Sequence, residues 1–414
     1  MKTLHLALLS TIILMMTACQ KSVPKMEVSS PDGSLTFRLE IGEDGGNSYI
    51  VSRSGVSLLE PSSIGLAAEG FDLGDGLTFT AASKVEQLVE NYTLTSGKRL
   101  EHAAAFNARA FKFSSPQGVE LVLEVRAFND GIAFRYILTG ASAVPVQISS
   151  ENTTFNLPES GKAWMHPYDE VTQYAPGYET YYEKDLQVGD PAPEGMNGWA
   201  FPVLFNVNDH WMLISEAGHD GSYPAMHLDV DPATGSYSMR LPEQDEAFEK
   251  YPATTARQLP QVLPWRVIIA GDSLATIVES DLVTHVSEPN RLGDTSWVKP
   301  GRSSWSWWSD NASPRDFNKL KRFVDFSADM GWEYSLVDAN WNEMVGGDLE
   351  ALAKYAATKN VGLLVWYNSG GEHNVVTEQP RDRMWDREIR REEMRKLQEW
   401  GIKGLKVDFF QSDK

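Results

Sequence analysis

Residues 404–410, Gly-Leu-Lys-Val-Asp-Phe-Phe, place a carboxylate, Asp408, in an otherwise apolar run. A buried, unpaired charge is costly, so a carboxylate there needs a partner or a purpose. Lys406 supplies the partner, because side chains two positions apart on an extended chain point the same way. A neighbouring ammonium keeps a carboxylate ionised, which a nucleophile requires. A structural Lys406–Asp408 pair at a strand end is the competing role. Three earlier runs end in similar chemistry: Trp305, Trp307 and Trp308 in SSWSWW, Asp338 and Asn340 in VDANW, and Trp366 and Asn368 in GLLVWYN. Indole faces stack on the C–H faces of a sugar while carboxylates and amides catch its hydroxyls. For each Trp taken alone, core packing is the competing role. No His-Glu-x-x-His pattern or repeated His spacing suggests zinc, and no Gly-x-Ser-x-Gly elbow supports serine hydrolase chemistry.

These groups need elements that bring them to one mouth. Helical patterns separate the four apolar runs. The first is expected to open at Ser313-Pro314, with Phe317, Leu320, Val324 and Ala328 on one face, and to close at Gly331. The second starts from an Asp348 cap, and the third, rich in Arg and Glu, ends at Trp400-Gly401. Strand and helix in strict alternation imply parallel strands with right-handed crossovers. No Gly-rich phosphate turn follows the first strand, and polar or aromatic residues sit at each strand's C-terminal end, where barrel active sites lie. The expected fold is therefore the first half of a (β/α)8 TIM barrel over residues 287–414. Such a barrel takes ~250 residues, so the expectation includes further barrel beyond Lys414.

Residues 25–286 have a different texture. Runs such as SLTFRLEI, NSYIVSRS, LVLEVRAF and IAFRYIL alternate with turn signals, and Asn129-Asp130-Gly131 between the last two marks a hairpin. That pattern predicts a large N-terminal β-sandwich, giving a β plus α/β chain overall. A hydrophobic content of 42% with 13 Trp rules out a disordered chain, and 57 Asp and Glu against 37 Lys and Arg, net −20, argues against nucleic-acid binding. The single cysteine excludes a disulfide scaffold and a Cys-based zinc site.

That cysteine is Cys19, at the end of a leader with Lys2 and an apolar stretch from Leu6 to Met16, too short to span a membrane. Met-Thr-Ala-Cys resembles a bacterial lipobox. Residues 1–18 are thus expected to be a signal peptide, and Cys19 the lipidated first residue of a protein anchored to a membrane in the periplasm. A soluble secreted protein cut nearby is the alternative.

The strings SPDGSLTFRLE, RAFNDGIAFRY, LPWRVIIAG, SWVKPGRSSWSWW, VDANW and KVDFF together resemble glycoside hydrolase family 97, in its retaining, α-galactosidase-like branch. The resemblance covers nearly all of the chain after the leader. It implies an N-terminal β-super-sandwich, a central (β/α)8 barrel and a small C-terminal β-domain. By that resemblance Asp408 is the nucleophile, while Asp338, Trp366 and Lys406 contact the sugar; Trp305 and Asn368 are added to the sugar contacts by the strand-end pattern read above. The acid/base glutamate is expected in the later half of the barrel, so residues 1–414 alone are expected to be inactive. Turnover by them would direct attention to Glu343, Glu372 and Glu378. The resemblance also implies one calcium ion, with Glu179 in GYETYYEKD as the sandwich's ligand and Glu183 as the next choice. The implied activity is that of an exo-acting retaining α-galactosidase on oligosaccharides, with no nucleic-acid or protein partner. An α-glucosidase of the same family and a non-catalytic sugar-binding lipoprotein are the alternatives. Metabolic labelling with a clickable fatty acid should mark the protein, and Cys19→Ser should abolish the label; label that survives the substitution excludes the anchor.

Overall fold

The computed structural model describes residues 25–42, 46–140, 144–158, 160–246 and 252–414. Residues 1–18 and Cys19, read above as leader and anchor, lie outside the described residues. Most of the regular secondary structure among the described residues is strand. The alternating runs fold as antiparallel strands, beginning with a four-stranded sheet of Glu27–Ser29, Leu35–Glu40, Ser48–Arg53 and Val56–Ser63. A larger antiparallel sheet faces it, and period-two patterning sends alternate side chains of both into one core. Phe37, Tyr49 and Phe134 meet there, with ring centroids 5.1–5.9 Å apart. The Asn129-Asp130 signal is a two-residue hairpin joining Val119–Phe128 to Gly131–Gly140, with Phe128 opposite Gly131.

The sandwich also buries charge. Arg266 is fully enclosed and donates through Nε to Glu151 Oε1 at 2.8 Å, through a terminal nitrogen to Glu151 Oε2 at 2.5 Å, and through the other to Glu216. Burial pulls the guanidinium pKa down, but Glu151 and then Glu216 more than reverse it, so the group is held above its usual range. Such a cluster is worth having only while every member is present.

Two short helices, Leu274–Glu279 and Leu282–Val286, close this half. A parallel sheet follows, its strands adjacent in chain order: β1 Ser303–Trp305, β2 Tyr334–Val337, β3 Gly362–Asn368 and β4 Gly404–Asp408. Helices α1 Phe317–Asp329, α2 Leu349–Thr358 and α3 Arg387–Glu399 connect them. Leu320, Val324, Leu352, Ala356 and Leu397 of these helices pack on Leu363, Val365 and Tyr367 of β3. Alternation then turns Trp366 of β3, and Lys406 and Asp408 of β4, to the opposite face.

The start of α1 corrects the expectation from Ser313-Pro314. Those residues form a separate 3-10 turn, and the helix begins one turn later, where the Asp316 side chain accepts from Lys319 N at 3.0 Å. An aspartate whose oxygen reaches that amide is a full N-cap, a bond that Ser313 does not make. Asp348 does cap α2, accepting from Ala351 N at 2.7 Å, and Gly401, with φ +78°, lies just beyond the end of α3. Among the described residues no helix is long and apolar enough to cross a membrane.

Replacing Arg266 by Ala should lower unfolding stability by about 3–5 kcal/mol, because two carboxylates are left buried without their cation. Denaturant unfolding checks this; a loss under about 1 kcal/mol would show that the cluster relaxes or fills with water.

Candidate active site

The parallel register brings the polar ends of the strands together. Trp366 lies opposite Lys406 and Asn368 opposite Asp408, while β1 and β2 align Trp305 with Leu336, two residues before Asp338. The Lys406 ammonium is 3.2 Å from Asp338 Oδ2 and 3.5 Å from Asp408 Oδ2, and it stands 4.6 Å over the Trp305 ring. Trp305 donates its indole N–H to Asp338 Oδ2 at 2.6 Å, and Ala339 N donates to Asp338 Oδ1 at 2.8 Å. The Asp338 side chain is 2% exposed, so these three donors replace water around it.

Asp408 is more open, its side chain 40% exposed. Trp366 donates its indole N–H to Oδ2 at 3.1 Å, and Phe409 N donates to Oδ1 at 3.0 Å. Different donors on the two oxygens fix the plane of the carboxylate. Phe409 has φ +63°, a conformation that costs a bulky residue about 1–3 kcal/mol. It ends β4 at Asp408 and aims the chain toward the sandwich.

The sandwich comes to meet it. Tyr174 packs on Phe409 at 5.9 Å, Tyr168 donates its phenol to Glu246 at 2.7 Å and to Asp413 at 3.2 Å, and Tyr178 donates to the same Asp413 oxygen. Asp413 N donates in turn to Glu246 at 2.9 Å. Burial first, and then Asp413, hold both phenols well above the usual tyrosine range, so they remain donors. Sequence reasoning missed this contact, for which tyrosines in a loop give no periodic signal.

With this geometry in place, the comparisons decide the family. Residues 28–289 match the description Glycosyl-hydrolase 97 N-terminal, and residues 297–414 match Glycoside hydrolase 97. The chain belongs to glycoside hydrolase family 97. It is 27% identical to a probable retaining α-galactosidase of Streptomyces bingchenggensis, covering 94% of this chain and 56% of that protein. It is 25% identical to a retaining α-galactosidase of Bacteroides thetaiotaomicron, covering 100% and 63%. Among solved structures, a β-arabinopyranosidase superposes with TM-score 0.87 at 32% identity, over 94% of this chain and 62% of that one. A family 97 enzyme from a Pseudoalteromonas species, solved with panose, gives 0.75 at 21% identity over 93% and 59%, a likeness of fold.

Within this family 97 chain, Trp305, Asp338, Trp366, Lys406 and Asp408 converge as a single hydrogen-bonded and ion-paired set. Asn368 departs from its expected place against the sugar. It is fully buried, its amide N–H groups donate to the carbonyls of Val376 and Glu378, and its oxygen accepts from Gly370 N and Asn374 Nδ2. All four of its hydrogen-bonding positions are used within the loop after β3, leaving none for a hydroxyl. Glu343, named above as a fallback acid/base, is paired with Arg315 at 2.7 Å.

Glu179 lies on the same sandwich loop as Tyr174 and Tyr178, with its side chain exposed to solvent. Among the described residues no three His, Cys, Asp or Glu side chains come together to hold a metal ion. The described residues do not by themselves gather a ligand set for a calcium ion.

Asn368→Ala should expose the loop of residues 369–380 to limited proteolysis and lower stability by about 1–3 kcal/mol, because the groups it satisfies stay buried. Unchanged protease resistance would return Asn368 to the sugar-contacting set.

Proposed function

We propose that the whole protein is an exo-acting retaining glycoside hydrolase that takes galacto-configured pyranosides, with Asp408 as its nucleophile. The observation that carries this reading is the Asp408 carboxylate: open to a ligand at the strand end, fixed in plane by Trp366 and Phe409 N, and faced by the Lys406 ammonium. A carboxylate so placed is aimed, with a cation beside it, which is what attack on an anomeric carbon needs. In the first step Asp408 bonds to C1 as the leaving oxygen takes a proton from an acid/base glutamate beyond Lys414, about 5–5.5 Å from the nucleophile. In the second, that glutamate deprotonates water, which displaces Asp408 with the original configuration restored. Asp338, Trp305 and Lys406 bind the sugar's hydroxyls and hold its C–H face. In the same reading the parallel sheet is the first four βα units of a (β/α)8 barrel, and Cys19 anchors the protein in the periplasm.

Two glycones have support. The curated relatives are named retaining α-galactosidases, which favours α-galactosides. The β-arabinopyranosidase likeness favours a second reading. β-L-Arabinopyranose is α-D-galactopyranose without the hydroxymethyl group on C5, so one nucleophile and one set of hydroxyl contacts serve both sugars. The choice rests on space beside C5.

The deciding experiment is proton NMR of the whole protein hydrolysing nitrophenyl α-galactoside, β-L-arabinopyranoside and α-glucoside in parallel. α-Galactose appearing before its anomer is the expected result, and β-galactose first would remove Asp408 from its role. Asp408→Gly should lose at least about 1,000-fold in kcat, with azide restoring turnover as β-galactosyl azide. Faster turnover of the arabinoside selects the second glycone, and binding without turnover of any substrate selects a lectin.

A further inference from the structure

We infer that Ser369 and Asn374 are positioning residues for Asp408, acting through the backbone of Phe409. The inference rests on Asp408 being the nucleophile and adds the device that holds it.

Phe409 is a non-glycine residue in the left-handed region, directly after the reacting carboxylate. Such a conformation persists only where the surroundings over-determine it. Here the surroundings are the loop that leaves β3. Ser369 Oγ donates to the Phe409 carbonyl at 2.8 Å, and Asn374 Nδ2 donates to the same oxygen at 3.0 Å. Ser369 N donates to the Asp408 carbonyl at 2.8 Å. The carbonyls on both sides of Phe409 are therefore held from one neighbouring loop. With the turn closed, Phe409 N–H lies on Asp408 Oδ1 instead of continuing a strand ladder.

The loop itself is anchored firmly enough to impose this. Asn374 is 1% exposed; its Nδ2 also reaches Asn368 Oδ1 at 2.6 Å and Ser369 Oγ at 3.3 Å, and its Oδ1 accepts from Val376 N at 3.0 Å. Asn368, at the end of β3, ties the loop to the sheet. The Phe409 ring packs on Trp366 at 5.7 Å, and Trp366 donates to the other oxygen of the same carboxylate. One residue thus sets both restraints on Asp408: its amide holds Oδ1 and its ring steadies the indole on Oδ2. Neither Ser369 nor Asn374 is within the hydrogen-bonded set around Asp338 and Lys406, so each can be altered without removing a group that faces the sugar.

The test uses the whole protein and its Ser369→Ala, Ser369→Thr and Asn374→Asp variants with 5-fluoro-α-galactosyl fluoride, read by peptide mass spectrometry. The C1–O bond to Asp408 forms as the C1–F bond breaks and fluoride leaves, so the label marks the nucleophile and its rate reports the first step alone. Ser369→Ala and Asn374→Asp should slow labelling of Asp408 by about 10- to 100-fold at saturation, with the half-saturating concentration close to wild type in both. Tm should stay close to wild type in Ser369→Ala and fall in Asn374→Asp, which buries a carboxylate against the oxygens that Asn374 Nδ2 serves. Ser369→Thr, which keeps the hydroxyl, should recover most of the rate. Labelling within about twofold of wild type in both variants overturns the inference. A parallel fall in rate, binding and Tm that Ser369→Thr does not relieve also overturns it, reducing the loop to a structural support. A wild-type label on another residue, or none, removes the nucleophile reading beneath it instead.

Discussion

A single ammonium between two carboxylates organises this end of the molecule. Lys406 stands within 3.5 Å of both Asp338 and Asp408, so one cation serves both carboxylates. With the cation in place, Asp338 can stay nearly enclosed as an acceptor while Asp408 stays open. The cation also rests on the Trp305 ring face, which favours positive charge and occupies the far side of the ammonium. Each of these contacts depends on register: a slip of one residue in β4 would turn Lys406 and Asp408 into the helices and Leu405 and Val407 into the mouth. The apolar packing of Leu363, Val365 and Tyr367 against the helices therefore holds the electrostatics in place.

The indole groups of this site do more than stack. Trp305 donates to Asp338 and Trp366 to Asp408, so each presents an N–H to a carboxylate and keeps its ring for packing. A phenylalanine at either position would keep the packing and lose the restraint. Trp366 is nearly enclosed, and its N–H lies on the carboxylate beside it.

Local pattern made much of this legible. Period-two alternation and the hairpin at Asn129-Asp130 showed the sandwich strands, and the alternation of runs and helices showed the parallel sheet. The spacing of Lys406 and Asp408 placed two functional groups on one face. Asn368 stands at a strand end, a position that is the same whether its amide meets a ligand or a loop; the folded path of residues 369–380 takes up its hydrogen-bonding positions, and no local pattern encodes that path. The helix start was misplaced by one turn because Ser313-Pro314 and Asp316 both carry start signals. Arg266 finds Glu151 across 115 residues and Glu216 across 50, and no pattern of short period encodes such pairs.

The contact of Tyr168, Tyr178 and Glu246 with Asp413 joins residues up to 245 positions apart. A chain pays heavily in loop-closure entropy to make such a contact early. During synthesis the sandwich emerges first and domains generally fold as units, so the tyrosine loop is already in place when the end of β4 leaves the ribosome. The N-terminal half receives the segment after Asp408 and fixes where β4 stops.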